Sequence, residues 1–458
     1  MKMKDCSQSS SKYFNRALAA TLLLLMPGIM LSSHAQQQPP PSKFDIERFR
    51  SVLGTIKEDI RKNYYDPNYH GMDLDTAFKT ADEKMKQATS LGQLLGVIGQ
   101  LLVDLDDSHT YFVPPRRSYR TDYGWRMKMI GDKSYVVAVE PGSDAEAKGL
   151  KEGDEIVTID GRFRPVRQNL WKIQYLYNAL RPQPVMRLAV IKPDGQQQQI
   201  DAIARVQQGK RVKDLTFDNG GSDFWDLERE EENLNHLYRQ RGIEMGDELF
   251  IWKMPQFDLP RPRVDEWVDK FKKRKALILD LRGNGGGAEE TLLRLIGNLF
   301  DKDLKVGDLK RRKEEKALTA KTRGDNIFAG KLIVLIDSES GSAAELLARV
   351  VQLEKRGTVI GDRSAGAVMR AREFSHNVGV DVKIFYGLSV TDADVIMTDG
   401  KSLEHVGVTP DEIRLPTAAD LAAKRDPVLA YAASLVGVTI SPEKAGELFP
   451  LEWYKDKR

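Results

Sequence analysis

A chain of 458 residues exceeds one ordinary hydrophobic core and implies two or three domains. Basic residues number 70 and acidic residues 67; the first 35 positions hold four of the former and one of the latter, so the remainder is formally neutral and has no charge excess suited to nucleic acid. The single cysteine, Cys6, sits in that leading stretch, so the rest of the chain has no disulfide, thiol nucleophile or cysteine-ligated metal, and no cofactor or metal is expected.

Residues 1–35 join a basic start (Lys2, Lys4, Lys12, Arg16) to the apolar run "ALAATLLLLMPGIML" and the small-residue ending "SSHA". This predicts a secretory signal peptide cut after Ala35, too short for a comfortable membrane span, with an uncleaved anchor as the alternative. Export without disulfides points to a bacterial periplasm or exterior, with no integral span after cleavage.

A Gln/Pro linker over 36–42 leads to residues 43–118, where "FDIERFRSVLGTIKEDIRKNY" shows helical spacing; this predicts an N-terminal helical domain closed by "LDDSHTYFVPP". Over 119–208 the period shortens. Two β-rich runs flank a short helix, and "VMRLAVI" and "QQQIDAIARV" meet across "KPDG" as a hairpin, giving a compact β-rich domain. A charged connecting segment over 209–242, with a solvated helix, precedes residues 243–420. There "ELFIWKM", "KALILDLR", "KLIVLID" and "GTVIGD" alternate with helical patterns, which predicts an α/β core with a largely parallel sheet. Residues 421–458, with "DPVLAYAASLV", read as a C-terminal helical segment.

Ligands of such sheets bind beyond the carboxyl ends of the strands, and two unusual sequences stand there. In "LDLRGNGGGAEE", Gly283, Gly285, Gly286 and Gly287 let the backbone turn with positive φ and bring N–H groups close to a bound atom. The run fits a dinucleotide fingerprint loosely, as Gly283-x-Gly285-x-x-Ala288 with Asp301 and Asp303 beyond it. No Gly-Lys-Ser/Thr follows, which excludes a Walker loop, and an exported protein has little access to nucleotides. An oxyanion site is the better reading.

In "IDSESGSAAELLARV" a strand passes through a Ser/Gly turn into a helix, with Ser342 three residues before Glu345. Ser-x-x-Glu is a capping box. A serine at a helix start also has free N–H groups and the positive dipole end beside its oxygen, as a nucleophile needs. Its base would be one of His70, His109, His236, His376 and His405. His236 belongs to a charged segment, His376 to a strand surface and His70 to an irregular loop; His109 and His405, both beside acids and near hydroxyls or turns, stay tied on chemistry alone.

"LDLRGNGGG", "SGSAAELLA", "GDRSAGAV" and "GVTPDEI", with "DSHTYF" upstream, resemble the carboxyl-terminal processing (tail-specific) serine proteases and the tricorn protease core. "VEPGSDAEAKGLKEGDEIVTIDGR" resembles the second half of a PDZ domain. The resemblance implies a multidomain α/β protein: an N-terminal helical domain, a PDZ-like domain and a crotonase-like α/β protease core. It places the nucleophile at Ser342. The position of the processing proteases' lysine is Ala367, and that of their glutamine is Ala371, so the Ser–Lys dyad is missing. The tricorn-like branch uses a Ser-His pair and an acid or serine near Gly-Val-x-Pro-Asp, which implies His109 as general base, Ser108 orienting it and Glu404 holding the group. It further implies Gly286, Gly287 and Ala343 as oxyanion donors and Asn284 as a brace. The expected activity is an exported serine endopeptidase acting through an acyl-enzyme on peptides or unfolded proteins. The alternative is an inactive protease-like PDZ scaffold. Trp125 and Arg126 depart from the carboxylate-loop pattern of PDZ domains, which bears on whether the module captures chain ends.

Overall fold

The computed structural model describes residues 40–115, 119–208, 237–379 and 383–453. The expected signal peptide, most of the linker, residues 209–236 of the connecting segment and His236 lie outside the described residues.

The protein is a mixed α/β chain. Its first sheet runs in the order Glu412–Ile413, Thr358–Gly361, Lys331–Ile336, Ala276–Asp280, Leu249–Lys253, Arg241–Met245. All neighbours are parallel except the last pair. Ala276–Asp280 is buried along its whole length because both faces are covered, and such strands read as continuous apolar runs. Leu277, Leu279, Val334 and Ile336 pack against helices Arg261–Phe271, Glu289–Leu299 and Ala343–Leu353. The alternate residues Ile278, Ile333 and Leu335 face Val428, Leu429, Ala432 and Ala433 of helix Pro427–Leu435. The C-terminal helical segment thus completes the core by covering its second face.

A second, antiparallel sheet, which the sequence pattern does not reveal, is built around the long strand Ile384–Met397. Met369–Val378 pairs along one side; Tyr111–Val113 and Leu304–Lys310 share the other, with Glu315–Ala320 outermost. Helices Lys43–Asn63, Leu74–Lys86 and Leu91–Val103, each started by a side-chain cap (Ser42, Asp73, Ser90), bury Ile56, Ile60, Leu94 and Ile98 against Tyr386, Leu388 and Val390 of that strand. An amphipathic helix must bury its stripe, and here the second sheet supplies the surface. The N-terminal helices therefore share one hydrophobic core with the sheet that follows the serine helix, and Tyr111–Val113, inside the stretch read as helical, is a strand of it.

Residues 125–203 form an antiparallel sheet in the order Trp125–Ile130, Lys133–Val139, Glu155–Ile159, Val185–Ile191, Gln197–Ile203, with the hairpin at 192–196. The ribbon Tyr119–Asp122 with Arg205–Gln208 closes it off. Its own core joins Met127, Val136, Ile156 and Leu188 to Ile173 and Tyr177 of the helical stretch from Leu170 to Leu180.

Candidate active site

Parallel strands deliver their following loops to one end of the sheet, and the glycine turn and the serine turn arrive side by side. The turn after Asp280 bends at Gly283, Gly286 and Gly287, all with positive φ. A Cβ on Gly286 would lie 2.5 Å from Ser342 Cβ, and one on Gly287 would lie 2.3 Å from the Phe257 carbonyl, so only glycine admits this approach. Asn284 is fully buried and braces the turn: its Nδ2 donates to Met254 O at 2.8 Å, its Oδ1 accepts from Gly286 N–H at 2.8 Å, and its carbonyl accepts from Gly341 N–H at 2.9 Å.

That brace occupies one of the three N–H groups expected as oxyanion donors. The Gly286 N–H is already committed to Asn284, whereas Gly287 N–H and Ala343 N–H have no such partner among the described residues.

Of the three serines in the serine turn, Ser338 donates to Met129 O at 2.6 Å, and buried Ser340 donates to Leu281 O at 2.9 Å. Ser342 stands at the helix start with φ 51° and ψ −118°, a strained conformation for a residue with a side chain. Its N–H is shared between Ala367 O at 2.8 Å and Glu345 Oε2 at 3.0 Å. Glu345 caps the helix and in addition accepts from Ser364 Oγ, Gly366 N–H and Ala367 N–H. Its isolation from water pushes the carboxyl up to about 7, against the pull of those hydrogen bonds.

His109 comes from a different part of the fold, the loop between helix Leu91–Val103 and strand Tyr111–Val113. Asp107 shapes this loop: its Oδ1 accepts from His109 N–H, Thr110 N–H and Thr391 Oγ1. Ser108 N–H donates to Glu404 Oε1 at 2.7 Å, Ser108 Oγ donates to Glu404 Oε2 at 2.9 Å, and Ser108 Oγ lies 2.7 Å from His109 Nδ1. With the hydroxyl proton given to an ionised Glu404, the tautomer that completes the chain carries its proton on Nδ1 and leaves the lone pair on Nε2. Burial lowers the His109 pKa despite nearby Asp107, and burial raises that of Glu404.

Two groups thus form: Ser342 with Gly286, Gly287 and Ala343, and His109 with Ser108 and Glu404. They are joined by residues 367–368, since the Ala367 carbonyl holds Ser342 N–H and Val368 N–H donates to Glu404 Oε2 at 2.7 Å. Among the described residues, no hydrogen bond runs between the His109 ring and Ser342 Oγ. The other described histidines are occupied elsewhere. Both ring nitrogens of His70 are taken by Tyr65 OH and Leu105 O, His376 pairs with Asp59, and the exposed His405 ring meets Asp106 O.

Sequence reasoning missed how the β-rich module meets these loops. Lys128 reaches Asp337 at 2.6 Å and Glu339 at 2.9 Å, and Asp337 Oδ1 accepts from Gly283 N–H at 2.9 Å. Arg167 pairs with Asp362 at 2.6 Å. Nothing in the local sequence marks these long-range partners. Trp125 lies in the module's core, and Arg126 stacks over Trp453 with its guanidinium carbon 5.1 Å from the ring centre.

Residues 251–414 match the model of peptidase family S41. The chain is 25% identical over 336 residues to a tail-specific protease of Haemophilus influenzae, an alignment covering 69% of this chain and 44% of that protein. It is 22% identical over 335 residues to a carboxyl-terminal-processing protease of a Picosynechococcus species, covering 69% of this chain and 72% of that one. Among solved structures, mature CPAF complexed with lactacystin superposes with a TM-score of 0.60 at 15% identity, over 85% of this chain and 98% of that one, a likeness of fold. The glycine turn, the serine turn and Glu404 all fall inside the matched span, and the chain carries a domain of peptidase family S41.

Proposed function

We propose that the protein is an exported serine endopeptidase that cleaves peptides or unfolded proteins, with Ser342 as nucleophile and His109 as general base. The observation that supports this reading is the hydrogen-bond chain Glu404–Ser108–His109, which suits the imidazole tautomer with Nε2 free to accept a proton. Ser342 Oγ attacks the scissile carbonyl carbon and its proton passes to Nε2. The carbonyl oxygen becomes an oxyanion received by the N–H groups of Gly287 and Ala343 at the positive end of the serine helix. As the tetrahedral species collapses, the imidazolium protonates the leaving amine and an acyl-Ser342 remains. Water, deprotonated by the same imidazole, then releases the acid. The absent His109–Ser342 hydrogen bond is compatible with this scheme, because catalytic hydrogen bonds often tighten only when substrate binds.

The names of the relatives, tail-specific and carboxyl-terminal-processing, suggest protein chain ends as substrate. The β-rich module is read as a PDZ-like domain that presents such ends or gates the site. Among the described residues no helix is long and apolar enough to cross a membrane, and the leading apolar run is read as an export signal.

The test is a serine-directed fluorophosphonate followed by peptide mass mapping. A single adduct on Ser342, lost in His109→Ala, supports the reading. A folded protein that forms no adduct supports the inactive scaffold instead.

A further inference from the structure

Two carboxylates flank the site, Glu345 fully buried and Glu404 mostly shielded from water, and both are tied to the same short piece of backbone. Among the described residues no basic side chain pairs with Glu345, and its two oxygens take four donors: Ser364 Oγ at 2.6 Å and Gly366 N–H at 2.8 Å on Oε1, Ala367 N–H at 2.9 Å and Ser342 N–H at 3.0 Å on Oε2. Four donors fill the lone-pair sites of an ionised carboxylate, so this is the geometry of the charged form. The next amide along, Val368 N–H, goes to Glu404, which holds Ser108 and through it His109. Consecutive amides of residues 367 and 368 thus face two different carboxylates, one on the serine side and one on the histidine side.

We propose that Glu345 is a positioning residue, and that the Ala367–Val368 stretch it anchors sets the separation between Ser342 and the Ser108–His109 pair. The inference rests on the reading of those residues as nucleophile and base. It gives the stretch a main-chain role that needs no side chain at Ala367. The Ala367 carbonyl fixes the Ser342 N–H, its N–H is fixed by Glu345, and one residue later the chain fixes Glu404.

A helix cap alone would tolerate a neutral isostere; a four-donor clamp does not, because protonation or amidation removes an acceptor site and one donor must let go. The carboxyl is poised for this, with burial pushing it up to about 7. The charged or titratable groups on the elements around it are Asp337 and Glu339 in the serine turn, Asp362 and Arg363 in the 361–366 turn, and Arg282 before the glycine turn. Glu404 and His405 stand in the loop facing Gly366, and Asp107 and His109 lie beyond Ser108.

The experiment measures kcat and KM on a fluorogenic peptide, and the rate of fluorophosphonate labelling of Ser342, from about pH 5 to about pH 9, for the full chain, Glu345→Gln and Ser364→Ala. In the parent, kcat falls on the acid side with a midpoint of about 7. In Glu345→Gln, kcat and labelling drop by roughly 10²-fold with KM unchanged, as a small misplacement of reacting groups does, and the remaining acid limb moves down to the range of His109. Ser364→Ala removes one hydrogen bond that favours the ionised form, so its acid limb moves to higher pH.

If Glu345→Gln keeps the parent's kcat and acid limb, Glu345 is a cap and the proposal is overturned. If that variant does not fold, Ser364→Ala decides, and an unmoved acid limb overturns the proposal. A parent that is never labelled at Ser342 overturns the peptidase reading and this inference together. A labelled parent with unresponsive variants overturns only the positioning role.

Discussion

Glu404 Oε2 accepts hydrogen bonds from Ser108 Oγ at 2.9 Å and from Val368 N–H at 2.7 Å, so one half-buried carboxylate ties the loop carrying His109 to the residue that follows Ala367. Without it the Ser108 hydroxyl can turn its proton to His109 Nδ1, and the imidazole loses the constraint on its tautomer. Glu404→Gln places an amide where two donors converge. Its expected effect is a lower kcat with KM little changed, read from initial rates on a peptide substrate. His109→Ala is expected to lose roughly 10²–10⁴-fold in kcat, the usual contribution of a general base.

Gly286→Ala tests the close approach of the two turns. The added Cβ would meet Ser342 Cβ at 2.5 Å and hold φ at 104°, in the region that favours glycine. Strain of this kind costs about 1–3 kcal/mol. The expected outcome is a lower melting temperature together with loss of fluorophosphonate labelling at Ser342.

Lys128→Ala removes the cation that Asp337 faces across the junction between the β-rich module and the core. Burial pushes the Asp337 carboxyl up, but Lys128 and the Gly283 N–H outweigh it and hold the pKa below the ordinary value. A depressed carboxyl pKa contributes stability that is present above the unfolded pKa and is lost as pH falls through the folded one. Breaking such a pair costs about 3–5 kcal/mol when fully buried, and less here because both side chains keep some contact with water. Urea unfolding at neutral pH should show the loss, and the difference between parent and variant should shrink below about pH 4, where the unfolded-state carboxyl is protonated.

Leu429→Ala probes the second face of the parallel sheet. Leu429 is fully buried against Ile278, Ile333 and Leu335, and truncation there is expected to cost about 2–5 kcal/mol. The hydrogen bonds of the site are not touched. Urea unfolding should therefore show the loss while kcat under folded conditions stays that of the parent.

The parallel sheet and the two loops at its strand ends were legible because fully buried strands such as Ala276–Asp280 and Lys331–Ile336 are apolar without interruption, and the turns after them are rich in glycine and serine. The second sheet was not. Its long strand contains Thr391, Asp392 and Asp394 amid apolar residues, and its partner Tyr111–Val113 lies far away in sequence, so no local period announces the pairing. Residue chemistry alone left His109 and His405 tied, since both stand near acids, and only the family resemblance pointed to His109. Tertiary hydrogen bonds separate them physically: His109 Nδ1 meets Ser108, whereas the His405 ring meets the carbonyl of Asp106. Glu345 was visible as a capping residue, but its hold on Gly366 and Ala367 depends on a turn that folds back from beyond the helix.

In the proposed mechanism Ser342 and His109 act together on a peptide bond. Its most direct test is cleavage of an unfolded protein by the purified chain beside Ser342→Ala and His109→Ala, with all three first shown to be folded by circular dichroism. The parent is expected to cut and both variants to fail. Undiminished cleavage by His109→Ala would contradict it, because the proton of Ser342 would then be taken by another group.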